Sequence, residues 1–467
     1  MDPIAPYRWS RPGLRRLGYL SMVALVALAA VFFRERAWFL DVAFQTFLLI
    51  NEGSVQVMVN RFGAALVQLL PLIGIKAGAP LPVISLLYSI SFPLLYLAFY
   101  TLIVRLLRND LLGWALVFLY TLIVYDAFYW AISEQQQGLG ALLVFYAYWL
   151  RFPRQEKPWM WAVSTMGVVA LAYYHPLVFI PFYFLWAFFG LHLRKKITGR
   201  PYWLLAGIMA VVLALKSRFS GNWYDDGKYD TFFNNLEAYF PNYFSLPAHA
   251  KFLDNALSTW YFFPVFLLIV TLFYFFHRYW LKLALVLAAC FGYLMLLHIG
   301  SPESTYRFYA EVNYMALTIF VMVPFLFDIA PRLKGQWTVA LFSVIVAIRL
   351  FSIALHHQPY EARWRWIART LAQQPAGYNR FYLSEQEAPM DTLIMTWGVP
   401  YESLVISGSE SPKTLLIHPD LSLFSEALKS DTVFITPFKT YSIDQLNSTF
   451  FPLGKGEYRP IQLPSRQ

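Results

Sequence analysis

Long apolar runs recur along most of this 467-residue chain, and this pattern limits what it can fold into. About eleven runs are candidates to cross a membrane, although the fourth and seventh are short for the hydrocarbon core. We place them at 17–33, 81–104, 111–131, 138–150, 159–174, 176–191, 202–215, 259–276, 280–298, 308–327 and 337–355. Only 14% of the residues are charged, against roughly 25% in soluble domains. The sequence predicts an all-α polytopic membrane protein and excludes disordered, coiled-coil, collagen and disulfide-scaffold classes.

Basic residues mark one side of these spans. The segments 1–16, 105–110, 151–158, 192–201, 277–282 and 328–336 carry 17 Lys and Arg against 4 Asp and Glu. The opposite segments 34–80, 132–137, 216–258 and 299–307 carry 9 basic against 10 acidic residues. Because cytoplasmic loops are enriched in Lys and Arg, we expect a cytoplasmic N-terminus and an outward C-terminus. The net charge of +10 then reflects topology, and we expect no nucleic-acid partner.

The first span has a second interpretation as a cleaved signal peptide. Arg15 and Arg16 precede it, and Ala27-Leu28-Ala29 resembles a cleavage site. The apolar run continues to Phe33, which favours a retained span, and the next loop faces outward in both cases.

The character of the chain changes after residue 355. Residues 1–355 form the predicted transmembrane domain, and 356–467 are mixed and polar, with several prolines. An amphipathic helix is expected at 363–371, and short strands at 392–396, 414–418 and 432–436. We therefore expect a small extracytoplasmic α/β domain at 356–467.

Ionisable residues of the spans collect at the predicted outward ends. They are Asp126, Lys216, Arg218, His298, Glu311 and Arg349. Charged groups in lipid are costly, so their positions are informative about function. A carrier of a charged solute usually keeps its binding groups near the membrane midplane. This distribution favours chemistry at the outer surface over passage across the membrane.

The first outside loop, 34–80, is the most distinctive segment. Asp41 lies shortly beyond the first span, and an amphipathic stretch follows it to Glu52. The later apolar stretch contains Pro71 and Lys76 and suits a helix along the membrane interface. This arrangement predicts a carboxylate at the level of the lipid headgroups.

Two sequence features, one in the first outside loop and one near a late span, resemble features of the GT-C superfamily of integral membrane glycosyltransferases. Its members carry an acid in the first outside loop, matched by Asp41. They also carry a basic residue near a late span, matched by Arg307 in Tyr306-Arg307-Phe308-Tyr309. The layout of 1–355 and the outward tail resembles bacterial members similar to dolichyl-phosphate-mannose and aminoarabinose transferases. The chain departs from the family's common pair of acids, because Val42 follows Asp41.

The resemblance implies an inverting glycosyltransferase in a bacterial inner membrane. A polyprenyl-phosphate sugar is the implied donor, and a glycan, lipid or protein on the outer face is the implied acceptor. Asp41 is the expected general base, with Glu52 as the alternative. Arg307 is expected to bind the donor phosphate, and the lesser candidates are Arg61, Lys216 and Arg218. The residues expected to support the site are His175, Glu311, Asp126 and Arg349. No metal site is predicted, and the resemblance leaves a divalent-metal requirement open.

The main candidates also have ordinary structural explanations. A lone Asp after a span is often a helix cap or a solvated loop residue. Arg307 has the length to reach lipid headgroups, and Glu311 is spaced to pair with it on one helix face.

The remaining polar residues have similar alternatives. His175 lies in a tight turn, where a hydrogen-bonding role is more common than catalysis. A buried Asp126 requires a partner, for which Arg349 is the candidate. The three aspartates between 222 and 230 suggest a metal site, but their Gly and Asn neighbours are typical of a solvated loop.

Other functions compete with the enzyme hypothesis. A transporter or flippase of lipid-linked saccharide predicts broken helices and ionisable groups at the midplane. A noncatalytic assembly protein of the cell envelope predicts that Asp41 affects complex formation only. A polysaccharide polymerase or ligase is close in chemistry and poorly separated by the sequence.

Overall fold

The computed structural model describes residues 12–193 and 197–461, and these residues are mostly helical. Three predicted segments lie partly outside the described residues: the inside segments 1–16 and 192–201 and the C-terminal segment 356–467. The helices are α1 Pro12–Val31, α2 Phe33–Ala37, α3 Leu40–Glu52, α4 Ala65–Lys76, α5 Leu81–Thr101, α6 Asp110–Leu119, α7 Asp126–Tyr129, α8 Glu134–Arg151, α9 Pro158–Ala172, α10 Phe179–Leu193, α11 Arg200–Phe219, α12 Trp223–Ala238, α13 Pro247–Ser258, α14 Phe262–Phe276, α15 Trp280–Gly300, α16 Arg307–Pro324, α17 Gly335–Leu355, α18 Gln358–Ala372, α19 Met390–Leu393, α20 Val399–Ser407 and α21 Ser425–Leu428.

Seven helical segments among the described residues are long and apolar enough to cross a membrane. They are Pro12–Val31, Leu81–Leu106, Pro176–Leu193, Arg200–Phe219, Trp280–Gly300, Arg307–Arg332 and Gly335–Ala372. The pair α13 and α14 is bent by 93° and gives an eighth if it is counted as one span. Arg307–Arg332 is central, because 94% of its most apolar 18-residue window is buried. The chain is therefore a multi-pass, helical membrane protein.

Counting the bent pair as the eighth span, three of the eleven predicted spans have no counterpart among these eight. The apolar helices α6 and α9 have only 10 and 15 residues. Helix α8 begins with a polar first turn, Glu134 to Gln137. The predicted span 111–131 is not one helix, since α6 ends at Leu119 and α7 begins at Asp126.

Arg349 explains this break in the third predicted span. Its guanidinium donates hydrogen bonds to the carbonyl oxygens of Thr121 at 3.0 Å and Val124 at 2.9 Å. These carbonyls would otherwise accept bonds inside a continuous helix. A side chain more than 220 residues away thus stabilises an irregular backbone inside the protein.

The segment predicted as the large outside loop, 216–258, is mostly helical. Residues 223–230, expected to be a solvated loop, form the start of α12. Asn222 caps this helix, because its side-chain oxygen accepts the backbone N–H of Asp225 at 2.9 Å. This local cap stabilises the first turn of α12, so the Gly- and Asn-containing stretch is helical rather than a loop.

The C-terminal region contains two small sheets. Its strands are β1 Arg380–Ser384, β2 Thr414–His418, β3 Val433–Ile435, β4 Thr440–Ser442 and β5 Arg459–Pro460. Strands β2, β1 and β5 form a parallel sheet in that order, and β3 and β4 pair antiparallel. The strands predicted at 414–418 and 432–436 and the helix at 363–371 are confirmed. The strand predicted at 392–396 is wrong, because α19 occupies its start and Ile394 has a φ of 62°.

Helix α3 packs directly against this C-terminal region. The ring of Phe47 lies 5.1 Å from Tyr401, 5.5 Å from Phe434 and 5.6 Å from Phe451. At the end of α3, the side chain of Asn447 donates to the carbonyl oxygen of Ile50 at 3.1 Å. The helix that carries Asp41 is therefore held by residues of the C-terminal region along its length.

Candidate functional site

Asp41 lies in the first turn of α3 and is partly buried. Its Oδ2 accepts a hydrogen bond from the indole Nε1 of Trp130 at 2.8 Å. Burial raises the pKa of Asp41 to about 6, and the Trp130 hydrogen bond opposes this rise. The nearby charges of Glu134 and Glu402 add to it. A carboxyl group with this pKa exchanges protons near neutral pH, as a general base requires.

Trp130 connects Asp41 to the beginning of α16. Its ring lies 4.6 Å from the ring of Tyr309 and 5.5 Å from that of Phe308. The structure thus brings the predicted segment Tyr306–Tyr309 next to the predicted base. Both belong to the same end of the helical bundle.

Arg307 faces Asp126 rather than Glu311. Its Nε donates to Asp126 Oδ2, and its Nη2 lies 3.1 Å from His356 Nε2. Asp126 also contacts His356 Nε2 and accepts the hydroxyl hydrogen of Tyr360 at 2.9 Å. The Arg307 side chain keeps 33% of its surface exposed. Its Nη1 donates to Asn255 Oδ1 at 3.4 Å, so each guanidinium nitrogen has a neighbour while the side chain stays partly exposed.

The nitrogen Nε2 of His356 has two incompatible neighbours. It can donate to the Asp126 carboxylate or accept from Arg307, but a single ring nitrogen cannot do both. When it donates to Asp126, the nearby Nη2 of Arg307 has an N–H directed toward another donor. An anion at this place would provide that N–H with an acceptor.

Glu311 and Arg349 have structural contacts in the interior. Glu311 accepts the backbone N–H of Ala127 at 2.9 Å and the indole N–H of Trp260 at 3.2 Å. Arg349 bonds the carbonyl oxygen of Thr259 at 2.6 Å in addition to its two bonds in the α6–α7 break. The predicted partnership of Arg349 with Asp126 is wrong, since Asp126 pairs with Arg307.

Arg61 links two other elements beside Asp41. It forms ion pairs with Glu134 at 3.1 Å and with Asp225 at 2.8 Å. Its guanidinium also lies 5.3 Å from the ring centre of Tyr224. Burial raises the pKa of Tyr224. The positive charge of Arg61 opposes this rise, and the negative charge of Asp41 adds to it. Arg61 thus joins α8 to α12 through two ion pairs at the edge of the Asp41 site.

His175 and Lys216 lie near Arg61. His175 Nδ1 accepts the backbone N–H of Leu177 at 3.2 Å, which makes this histidine a turn cap. Burial lowers the pKa of His175, and the charges of Arg61 and Lys216 lower it further. Lys216 donates to the carbonyl oxygen of Ala172 at 2.8 Å, whereas Arg218 is exposed to the surroundings.

Glu52 lies at the other end of α3 from Asp41. Eleven residues at a rise of 1.5 Å each separate the two backbone positions by about 16.5 Å along the helix axis. Glu52 is exposed, and its charge acts on Tyr441 of the C-terminal region. The alternative base is therefore not part of the Asp41 site.

Several site residues were not identified from the sequence. Trp130, His356 and Tyr360 contact the predicted carboxylates, yet aromatic residues and histidines near span ends are ordinary in membrane proteins. The only sequence feature that could have pointed to His356 was its position directly after the last predicted span. Among the described residues, no three His, Cys, Asp or Glu side chains are arranged to hold a metal ion.

Comparison with known proteins gives no match. No family model, curated protein or solved structure matches this chain.

Proposed function

We propose that this membrane protein is a glycosyltransferase that uses a polyprenyl-phosphate sugar as donor. The observation that carries the proposal is the placement of Asp41 beside the aromatic start of α16, with Trp130 between them. The resemblance to GT-C enzymes described above supplies the chemistry, since a fold alone does not determine function.

Asp41 is the general base in this proposal. It takes the proton from the acceptor hydroxyl while the oxygen forms a bond to the anomeric carbon. The bond from that carbon to the phosphate oxygen breaks, and its electron pair leaves with the lipid phosphate. A single displacement of this kind inverts the anomeric configuration. General-base assistance is typically worth about 10²–10⁴-fold in rate.

Arg307 binds the phosphate of the donor. The negative charge of the leaving group grows during the reaction, and a fixed cation in a low-dielectric site stabilises it. The partial exposure of the guanidinium supports this role, as does the contact of Nη2 with His356, which leaves that N–H without an acceptor when His356 donates to Asp126. Two N–H groups of a guanidinium are able to bind two phosphate oxygens. Arg61 and Lys216 are engaged elsewhere and stabilise the surrounding elements.

The membrane arrangement belongs to the same proposal. The N-terminus is cytoplasmic, and eleven segments cross a bacterial inner membrane, with α6, α8 and α9 among them. The region 356–467 then lies outside with the active site. The partners are membrane lipids, the lipid-linked donor and a glycan, lipid or protein acceptor.

The experiment uses purified protein in lipid with radiolabelled polyprenyl-phosphate sugars. Wild type is compared with Asp41→Asn, Arg307→Gln and the matched control Glu52→Gln, which neutralises an exposed carboxylate of the same helix. We expect label transfer by wild type and the control, and its loss in the other two folded variants. Donor that stays intact with wild type across a broad panel contradicts the proposal. Liposome flux of lipid-linked saccharide then tests the flippase alternative.

A further inference from the structure

The C-terminal region inserts a carboxylate at the beginning of the helix that carries Asp41. Glu402 of α20 has 0% of its surface exposed. Its Oε1 accepts the backbone N–H of Leu40 at 2.8 Å, one residue before Asp41. The first N–H groups of a helix have no partner within the helix, so Glu402 provides a cap from a distant part of the chain.

Arg363 fixes the orientation of Glu402. Its Nε donates to Oε2 at 2.8 Å and its Nη2 to Oε1 at 2.7 Å, in a two-point ion pair. Its Nη1 donates to the carbonyl oxygen of Met395 at 2.8 Å. The arginine is 1% exposed, so the pair is shielded from water. Both partners of the cap are therefore held in one geometry.

The backbone around Leu40 is also constrained. Leu40 has a φ of 38°, which is unfavourable for a residue with a side chain. A Cβ added at Gly398 would lie 2.8 Å from Leu40 Cα and 2.9 Å from Glu402 Oε1. The C-terminal region thus contacts the backbone at this point, and only glycine leaves room for the contact.

We propose that Glu402, oriented by Arg363, is a positioning residue that holds the first turn of α3 so that Asp41 faces the reacting acceptor. The inference rests on the proposed function for the role of Asp41. The region 356–461 is then part of the active-site architecture of the membrane domain.

The contacts favour a positioning role over general stabilisation of the C-terminal region. The Glu402 bond ends on the residue adjacent to the base, and the unusual φ of Leu40 requires an external restraint. A displacement of about 1 Å at a reacting group is able to cost roughly 100-fold in rate.

Two double variants isolate the bond from the charges. Arg363→Met with Glu402→Gln removes both charges and keeps a side-chain oxygen for the Leu40 N–H. Arg363→Met with Glu402→Met removes the same charges and has no such oxygen. Ser403→Ala is the control for the C-terminal region, because this neighbouring side chain accepts the Leu415 N–H within that region.

The measurements are kcat and KM for transfer from a radiolabelled polyprenyl-phosphate sugar, and hydrogen exchange of the peptide containing Leu40. We expect Ser403→Ala to keep kcat within about threefold of wild type. The Gln double variant keeps an acceptor for the Leu40 N–H but lacks the orienting Arg363, so we expect its kcat to lie between those of Ser403→Ala and the Met double variant. The Met double variant should lose about tenfold or more in kcat, with KM for the donor unchanged and faster exchange at Leu40.

Equal kcat and equal exchange in the two double variants would overturn the positioning role. Asp41→Asn is measured in parallel to separate the two proposals. Transfer that survives Asp41→Asn rejects Asp41 as the base, and a wild type without transfer rejects the proposed function. The exchange comparison then still decides whether Glu402 holds Leu40.

Discussion

At the scale of residues, two carboxylates at the same end of the bundle have opposite surroundings. Asp126 contacts Arg307, His356 and the hydroxyl of Tyr360. The Asp41 carboxylate accepts a hydrogen bond from the neutral indole of Trp130. Carboxyl groups whose environments differ in this way commonly have different chemical tasks. The cation-paired group suits a fixed structural charge, and Asp41 suits proton transfer.

The pH dependence of transfer follows from the surroundings of Asp41. Its pKa of about 6 predicts that kcat/KM rises with pH through this value and levels off as the carboxylate forms. Trp130→Phe removes a hydrogen bond that favours the carboxylate, so the midpoint of the profile should move to higher pH. Rate profiles between pH 5 and 8 test this. A midpoint that stays in place or moves to lower pH argues against Asp41 as the titrating base.

At the scale of elements, local sequence predicted helices better than their interruptions. The apolar run at 111–131 has the composition of one span, and averaged hydropathy cannot reveal its break. The break depends on Arg349, whose three bonds to carbonyl groups are all long-range. The cap on α3 likewise depends on a long-range bond, to Glu402. The helix at 363–371 was predictable, because its amphipathic pattern is local.

Arg349→Met tests whether this arginine stabilises the break between α6 and α7. The substitution leaves the buried carbonyl groups of Thr121 and Val124, and the partly buried one of Thr259, without their donor. An unsatisfied buried group costs about 1–3 kcal/mol, so we expect a loss of at least that size in stability. Thermal unfolding in detergent measures the loss, and transfer per folded molecule should remain close to wild type. Unchanged stability with lost transfer would instead assign Arg349 to the reaction.

At the scale of the whole molecule, the number of spans follows from the helices, and the orientation in the membrane follows from the distribution of charge. The described residues contain seven spanning helices, or eight with the bent pair, and contain no information on which side faces the cytoplasm. The distribution of Lys and Arg supplies the proposed orientation. The pairing of Asp126 with Arg307 joins α7 to α16, so the sequence could predict only that these residues share one end of the bundle.

Cysteine labelling tests the proposed orientation. The single native cysteine, Cys290, is buried, so the wild-type chain provides a low background. Thr198 and Ser448 are exposed and lie on opposite sides in the proposed topology. A membrane-impermeant thiol reagent added to intact spheroplasts should label Ser448→Cys and leave Thr198→Cys unlabelled until the membrane is opened. The reverse pattern would invert the topology.

The role of Asp41 as the general base is tested by the single-turnover rate of sugar transfer in Asp41→Asn relative to wild type, with donor bound at saturation. The amide keeps the shape of the side chain and its contact with Trp130 but cannot take the acceptor proton. We predict a rate reduced by about 10²–10⁴-fold, with the protein folded and the donor still bound. A wild-type rate in Asp41→Asn would contradict the assignment of this carboxylate as the base.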